Sequence, residues 1–130
     1  MKRIEVVAAI IKHDSKILCV QRGPSKYEYV SKKWEFPGGK IELNESATDA
    51  IKREIEEELH LKIIDPKFFT SVVHQYPDFE IKLDFFNCSV VNKDIVLTEH
   101  INSTWLLPSE MKTLDWAAAD IPAVEKLALS

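Results

Sequence analysis

Four glutamates, Glu54, Glu56, Glu57 and Glu58, fall within five consecutive residues. Carboxylates so placed suit two kinds of chemistry: holding a hard divalent cation through oxygen, or moving a proton. On a helix, at about 100° per residue, Glu54, Glu57 and Glu58 share an arc of about 100°, while Glu56 turns away with Lys52 and Asp49. Ala47, Ile51, Ile55 and Leu59 form an apolar stripe beside that arc, so the three carboxylates converge at the edge of a buried face. Two readings follow. One is a solvated acidic face with Arg53 and Glu57 as an i,i+4 ion pair. The other is a site for Mg²⁺ or Mn²⁺. Like charges at this spacing destabilise a helix by a few tenths of a kcal/mol per pair, so some compensation is expected.

The elements that must position these residues are legible from periodicity. Apolar runs at residues 6–11 and 16–22, separated by Lys12-His13-Asp14-Ser15, predict a buried hairpin. Residues 23–35 carry neither period and read as a loop. After Pro37-Gly38-Gly39 comes a short strand over residues 40–43, and Ser46-x-x-Asp49 then resembles a capping box opening a helix that runs to residue 59. Strands at 68–76 and 79–91 flank a Pro77-Asp78 turn, and in the second strand Phe79, Ile81, Leu83 and Phe85 alternate with charged residues, predicting one buried and one wet face. A strand at 104–107, a helix start at Pro108-Ser109-Glu110 and a final helix over 121–129, with Asp120 as N-cap, complete the chain. The expected fold is α+β, one domain over residues 1–130, with a mixed sheet between helices.

Composition narrows the partners. Seventeen basic against twenty-one acidic residues give a net charge of −4, which offers no footprint for a nucleic-acid polymer or an anionic membrane. An anionic partner would need a bridging cation. The apolar run after Met1-Lys2-Arg3 is interrupted by Glu5 and ended by Lys12 and Asp14, so neither a secretion signal nor a membrane span is expected. Cys19 and Cys88 lie in apolar runs without CxxC spacing, as buried free thiols in a reducing cytoplasm would. Average usage of about 7% predicts about nine glycines; the chain has three, and Gly38 and Gly39 are adjacent.

The spacing around the glutamates adds a resemblance. Gly39, five residues, Glu45, seven residues, then Arg53-Glu54-Ile55-Glu56-Glu57-Glu58-Leu59-His60-Leu61 closely resembles the Nudix box, the loop–helix–loop signature of the Nudix hydrolases. One defined position departs: His60 stands where the family has glycine. Trp34 to Glu42 and Leu114 to Pro122 resemble the MutT-like branch, which includes nucleoside triphosphate pyrophosphohydrolases acting on oxidised guanine or cytosine nucleotides.

That resemblance implies roles. Glu57 and Glu58 would be metal ligands, and Glu54 a ligand or the base that activates water. Arg53 would orient a box glutamate, and Glu45 would tie the loop to the helix. Gly38 and Gly39 would let the backbone pass close to the metal, with the Gly38 carbonyl a candidate ligand; the plain alternative is a turn. Glu99 matches an extra carboxylate near the metals, or is a solvated loop acid. Arg22 matches a position that meets phosphate or base, or is a strand-end arginine. Asp120 stands where the oxidised-guanine enzyme has asparagine; ionised, it would only accept hydrogen bonds, which suits donors of either guanine or cytosine. Phe36, Tyr76, Phe79 and Trp116 stack on a base or belong to the core. His60 is expected to cost about 1 kcal/mol of stability in a left-handed conformation and no chemistry. His13, His74 and His100 show no ligand spacing and read as structural or exposed. The implied activity is Mg²⁺-dependent hydrolysis of a (d)NTP to (d)NMP and pyrophosphate, with Mn²⁺ as a possible substitute, by a cytoplasmic monomer or homodimer. Competing readings are another nucleoside diphosphate derivative as substrate, and a non-catalytic binding module.

Overall fold

In the computed structural model, which describes residues 2–129, the first apolar run becomes strand β1 (Arg3–His13) and the second β2 (Lys16–Gln21). Asp14 and Ser15 join them with φ of 51° and 69°, the positive pair that a two-residue hairpin matched to strand twist requires. Then come β3 (Trp34–Glu35), β4 (Gly38–Lys40), α1 (Ala47–Leu59), β5 (Ile64–Gln75), β6 (Glu80–Ser89), β7 (Asn102–Leu106) and α2 (Ile121–Ala128). The sheet runs β3-β2-β1-β6-β5, with β4 also on β1 and β7 also on β2. β1 and β6 are parallel from Arg3 opposite Glu80 to Lys12 opposite Ser89, and the other pairings are antiparallel.

Both faces of this mixed sheet are covered. Val7, Ala9, Ile11, Leu18 and Val20 pack with Ala50, Ile51, Ile55 and Leu59 of α1. Ala8, Ile10, Ile17 and Cys19 pack with Ala123, Val124 and Leu127 of α2. A strand covered on both sides has no polar face, which is why its sequence reads as continuous apolar residues. The expected α+β sandwich is therefore present, and Cys19 and Cys88 are buried free thiols whose pKa values burial raises to about 12.

Helix α1 opens where expected: the Ser46 hydroxyl accepts from the Asp49 amide at 3.1 Å. It closes at His60 with φ 52° and ψ 41°, whose amide donates to the Glu56 carbonyl at 3.0 Å. Ile51, Ile55 and Leu59 are fully buried. Each contributes about 1.5–3 kcal/mol, which outweighs the few tenths lost per pair of like charges on the helix.

Several boundaries differ from the sequence reading. The segment at 23–35 is a loop only to Lys33, because Trp34 and Glu35 pair with Gln21 and Val20. The short strand is Gly38–Lys40, not 40–43: two glycines without side chains lie against Ala8 and Val7, and Leu43 is exposed. β5 starts four residues early, at Ile64, through two register shifts around Pro66 that break its period. β6 is wet on one face only in its first half, since Phe86 and Cys88 pack on the α1 side while Leu83 and Phe85 pack on the α2 side. β7 begins at Asn102. The segment Pro108–Thr113 is a 3₁₀ helix. Asp120 is not a side-chain cap: a 3₁₀ turn, Ala118–Asp120, leads directly into α2, Asp120 itself is helical, and its carboxyl makes no capping bond.

At His60 the expected left-handed conformation is present on an exposed residue. His60→Gly should therefore raise stability by about 0.5–1 kcal/mol, seen as a melting temperature higher by about 2–5 °C, with an unaltered catalytic rate. A large change in rate at constant melting temperature would contradict a purely conformational role.

Candidate active site

The Arg53 guanidinium is the hub of one half of the acidic cluster. It grips Glu45 with two bonds, Nε to Oε2 at 2.7 Å and Nη2 to Oε1 at 2.9 Å. It also donates to Glu54 at 2.9 Å, Glu57 at 3.3 Å and the Lys40 carbonyl at 3.1 Å, and lies 3.2 Å from Glu42. A rigid fork of five donors suits such a convergence better than a lysine would. Arg53, followed by the Glu42 amide, holds the Glu45 carboxyl down at about 2, and the Glu45 bond raises Arg53. Loop 40–45 is thereby fastened to α1.

Among the described residues, no guanidinium pairs with Glu58. Glu58 is 2% exposed, and its pKa rises to about 9 through burial, a hydrogen-bond contact with Glu54, and the nearby charges of Glu99, Glu54 and Glu35. Loop residues 90–101 bring Glu99 there by satisfying carbonyls at the end of α1. The Thr98 hydroxyl donates to Glu57 and Glu58 carbonyls at 3.0 Å, and the Thr98 and Val96 amides donate to Glu58 and Leu59 carbonyls at 3.1 and 2.9 Å. Glu57 stands outside this buried group, with its side chain 58% exposed.

The glycines join this cluster to a cleft of about 660 Å³ lined by Arg22, Glu35, Phe36, Gly39, Glu99 and Asp120, among others. Neither glycine has positive φ, so the need is for close approach and not for a turn. A Cβ on Gly39 would collide with the Glu54 carboxylate, and one on Gly38 would overlap the Val7 carbonyl and lie 2.7 Å from Ala8 Cα. Across the cleft, Asp120 is 4% exposed and its Oδ1 accepts from the Phe36 amide at 3.2 Å. Burial, then the Glu35 charge, raises Asp120 well above the usual carboxylate range, against the pull of the Phe36 amide and Arg22. Arg22 meets Glu35 at 3.3 Å. The Phe36 ring is buried 4.9 Å from that of Trp116, and Trp116 donates to the Met111 carbonyl. Both rings are core. Tyr76 is buried with its hydroxyl accepting from the Ala119 amide, Phe79 is half-buried, and both line the cleft.

Two residues of this region carry no site role in the sequence reading. Glu35 lies inside the Trp34 to Glu42 segment, and its charge acts on both Glu58 and Asp120. His100 is neither exposed nor remote: its Nε2 lies 3.0 Å from Glu35 Oε2 and its Nδ1 3.9 Å from Glu58 Oε1. Adjacency to Glu99 was the available signal. Among the described residues, no three His, Cys, Asp or Glu side chains already stand in coordinating positions around one point. The donors nevertheless fit a divalent cation in type and charge. Glu35, Glu54, Glu58 and Glu99 are hard oxygen donors whose mutual repulsion is relieved by keeping Glu58 protonated, and a cation could replace that proton.

Two measurements follow. Gly39→Ala should displace the Glu54 carboxylate and lower the catalytic rate with a small loss of melting temperature. Gly38→Ala meets backbone and should cost about 2 kcal/mol or more. The second concerns pH. Glu58 keeps its proton in the folded state up to about 9 but releases it at about 4.5 when unfolded, so the folded state binds more protons across that window. Metal-free stability should therefore fall as pH rises from about 4.5 to about 9. In thermal melts, Glu58→Gln should remove Glu58's share of that slope, with Asp120 supplying a remainder of the same sign, and a divalent cation should stabilise the wild type most at high pH.

Comparison with known proteins identifies the family. A family model described as NUDIX domain matches residues 6–126. The chain is 37% identical over 125 residues to a CTP pyrophosphohydrolase of Escherichia coli strain K12, covering 96% of this chain and 91% of that one. It is 32% identical over 127 residues to an 8-oxo-dGTP diphosphatase of Buchnera aphidicola, covering 98% and 95%. The crystal structure of the MutT protein from Methanosarcina mazei Go1 shares the fold, with a TM-score of 0.87 at 23% identity over 98% of this chain and 94% of that one. With its box glutamates gathered on α1 and residues 6–126 matched by the family model, the chain belongs to the Nudix family and is a hydrolase of phosphoric anhydrides.

Proposed function

We propose that this chain is a Mg²⁺-dependent pyrophosphohydrolase of the nucleotide pool, converting a (d)NTP and water to (d)NMP and pyrophosphate. One observation carries the reading. A single cleft is lined by the carboxylates Glu35 and Glu99 and the buried carboxyl Asp120, and it meets the α1 acids where its lining Gly39 abuts Glu54 and where Glu99 neighbours Glu58. Its volume suits a nucleotide-sized ligand. The relatives named for CTP and 8-oxo-dGTP supply the substrate class. With a net charge of −4 and glutamates lining the phosphate end, a cation must lie between protein and polyphosphate.

Glu54, Glu57, Glu58, Glu99 and the Gly38 carbonyl are the groups that would hold Mg²⁺, or Mn²⁺ in its place. The bound cation neutralises phosphate charge and acidifies the attacking water. Glu58 releases its proton to take part. Glu54, pressed against Gly39, stands either as a ligand or as the base that takes the water's proton. Arg53 keeps Glu54 and Glu57 aimed, and Glu45 holds Arg53. At the far end Asp120 reads the base. Burial and the Glu35 charge favour its protonated form, in which a carboxyl can donate as well as accept. Ionised or protonated, it is compatible with guanine or cytosine. Arg22, held by Glu35, faces base or phosphate. The thiols Cys19 and Cys88, unpaired and buried, fit a reducing cytoplasm.

A panel of (d)NTPs including 8-oxo-dGTP, dCTP and 5-methyl-dCTP, assayed for pyrophosphate with Mg²⁺, tests this. Glu57→Gln should lower kcat by about a hundredfold or more on every substrate. Asp120→Asn should change the ratio of kcat/KM between guanine and cytosine nucleotides by about tenfold or more. Wild type and Glu57→Gln equally inert on the whole panel would refute the enzyme, and an unchanged ratio in Asp120→Asn would remove Asp120 from base choice.

A further inference from the structure

His100 has one buried ring nitrogen engaged and one not. Its side chain is 5% exposed. Nε2 pairs with Glu35 Oε2 at 3.0 Å. Nδ1 is buried without a hydrogen-bond partner, and Glu58 Oε1 lies 3.9 Å from it. A histidine that only fills a core satisfies both nitrogens, since an unpaired buried polar atom is costly. The backbone around it is clamped on both sides. Thr98 is bonded to the end of α1, and the Ile101 amide donates to the Gln21 carbonyl at 3.0 Å. Glu35 in turn holds Arg22 at 3.3 Å. A continuous strut, Arg22–Glu35–His100, thus runs from the nucleotide-facing wall of the cleft to the carboxylate end.

We propose that His100 is a positioning residue, setting the Glu58 carboxyl from one ring nitrogen while the other anchors it to Glu35. The proposal rests on the reading of Glu58 as a metal ligand. It concerns the free protein as much as turnover, because a displaced Glu58 would bind cation less well before any nucleotide arrives.

The test is titration of Mn²⁺ into nucleotide-free protein, followed by calorimetry or electron paramagnetic resonance, for wild type, His100→Leu, His100→Gln and Glu58→Gln. His100→Leu should weaken Mn²⁺ binding and lower kcat, each by about tenfold or more, and because it also removes the bond to Glu35 its metal-free melting temperature is measured alongside. His100→Gln can still donate to Glu35 but presents nothing to Glu58. It should keep the wild-type KM and still bind Mn²⁺ more weakly, by more than about threefold. Mn²⁺ affinity within about threefold of wild type in both His100 variants would overturn the proposal. If His100→Leu does not fold, His100→Gln decides by the same threshold. Glu58→Gln separates the two levels. Unchanged Mn²⁺ binding there defeats the metal-ligand reading and this proposal with it, whereas loss in Glu58→Gln with retention in both His100 variants defeats only the role of His100.

Discussion

The arrangement turns on how seven glutamates are kept within reach of one another. Arg53 settles one side, because a planar guanidinium can contact Glu42, Glu45, Glu54 and Glu57 together. Nothing equivalent stands beside Glu58. There burial and the charges of Glu54, Glu99 and Glu35 leave a proton as the neutralising species. Glu54 belongs to both sides, bonded to Arg53 and in contact with Glu58. The same helix therefore carries one set of acids that is internally compensated and another that calls for an external cation.

The sheet makes that division useful. α1 covers one face and the cleft opens towards the other, so the chemistry must cross the sheet edge. β4 is where it crosses. Gly38 lies so close to Val7 and Ala8 that no side chain fits, and Gly39 lies so close to Glu54 that the carboxylate rests on bare backbone. From the opposite side, loop 90–101 reaches the same place by supplying donors to the last carbonyls of α1. Two loops distant in sequence thus meet on α1, one fastened through the Arg53 guanidinium and the other through the carbonyls that the helix C-terminus leaves open.

Much of this was legible in the residues. Apolar runs marked β1 and β2, Ser46 and the Ala47–Leu59 stripe marked α1, and the arc of Glu54, Glu57 and Glu58 beside that stripe pointed to hard-cation chemistry. Boundaries failed where the local signal was absent or misleading. Gly38 and Gly39 do not look like a strand, Pro66 and the bulges of β5 break its period, and Trp34-Glu35 is too short to have one. Asp120 looked like a helix cap because aspartate before an apolar helix usually is one. In the fold, the preceding 3₁₀ turn continues into α2 and the Phe36 amide takes the carboxyl instead.

Local pattern, then, determined the kinds of element and the identity of the acids, since helix period, capping and charge spacing are properties of neighbours along the chain. The protonation and partners of those acids were decided by the tertiary structure. Burial of Glu58 and Asp120, the reach of Glu35 to both, and the placing of His100 between Glu35 and Glu58 depend on groups from different segments of the chain being brought into a medium of low polarity. Desolvation and Coulomb interactions act through space, and no spacing within one segment encodes them.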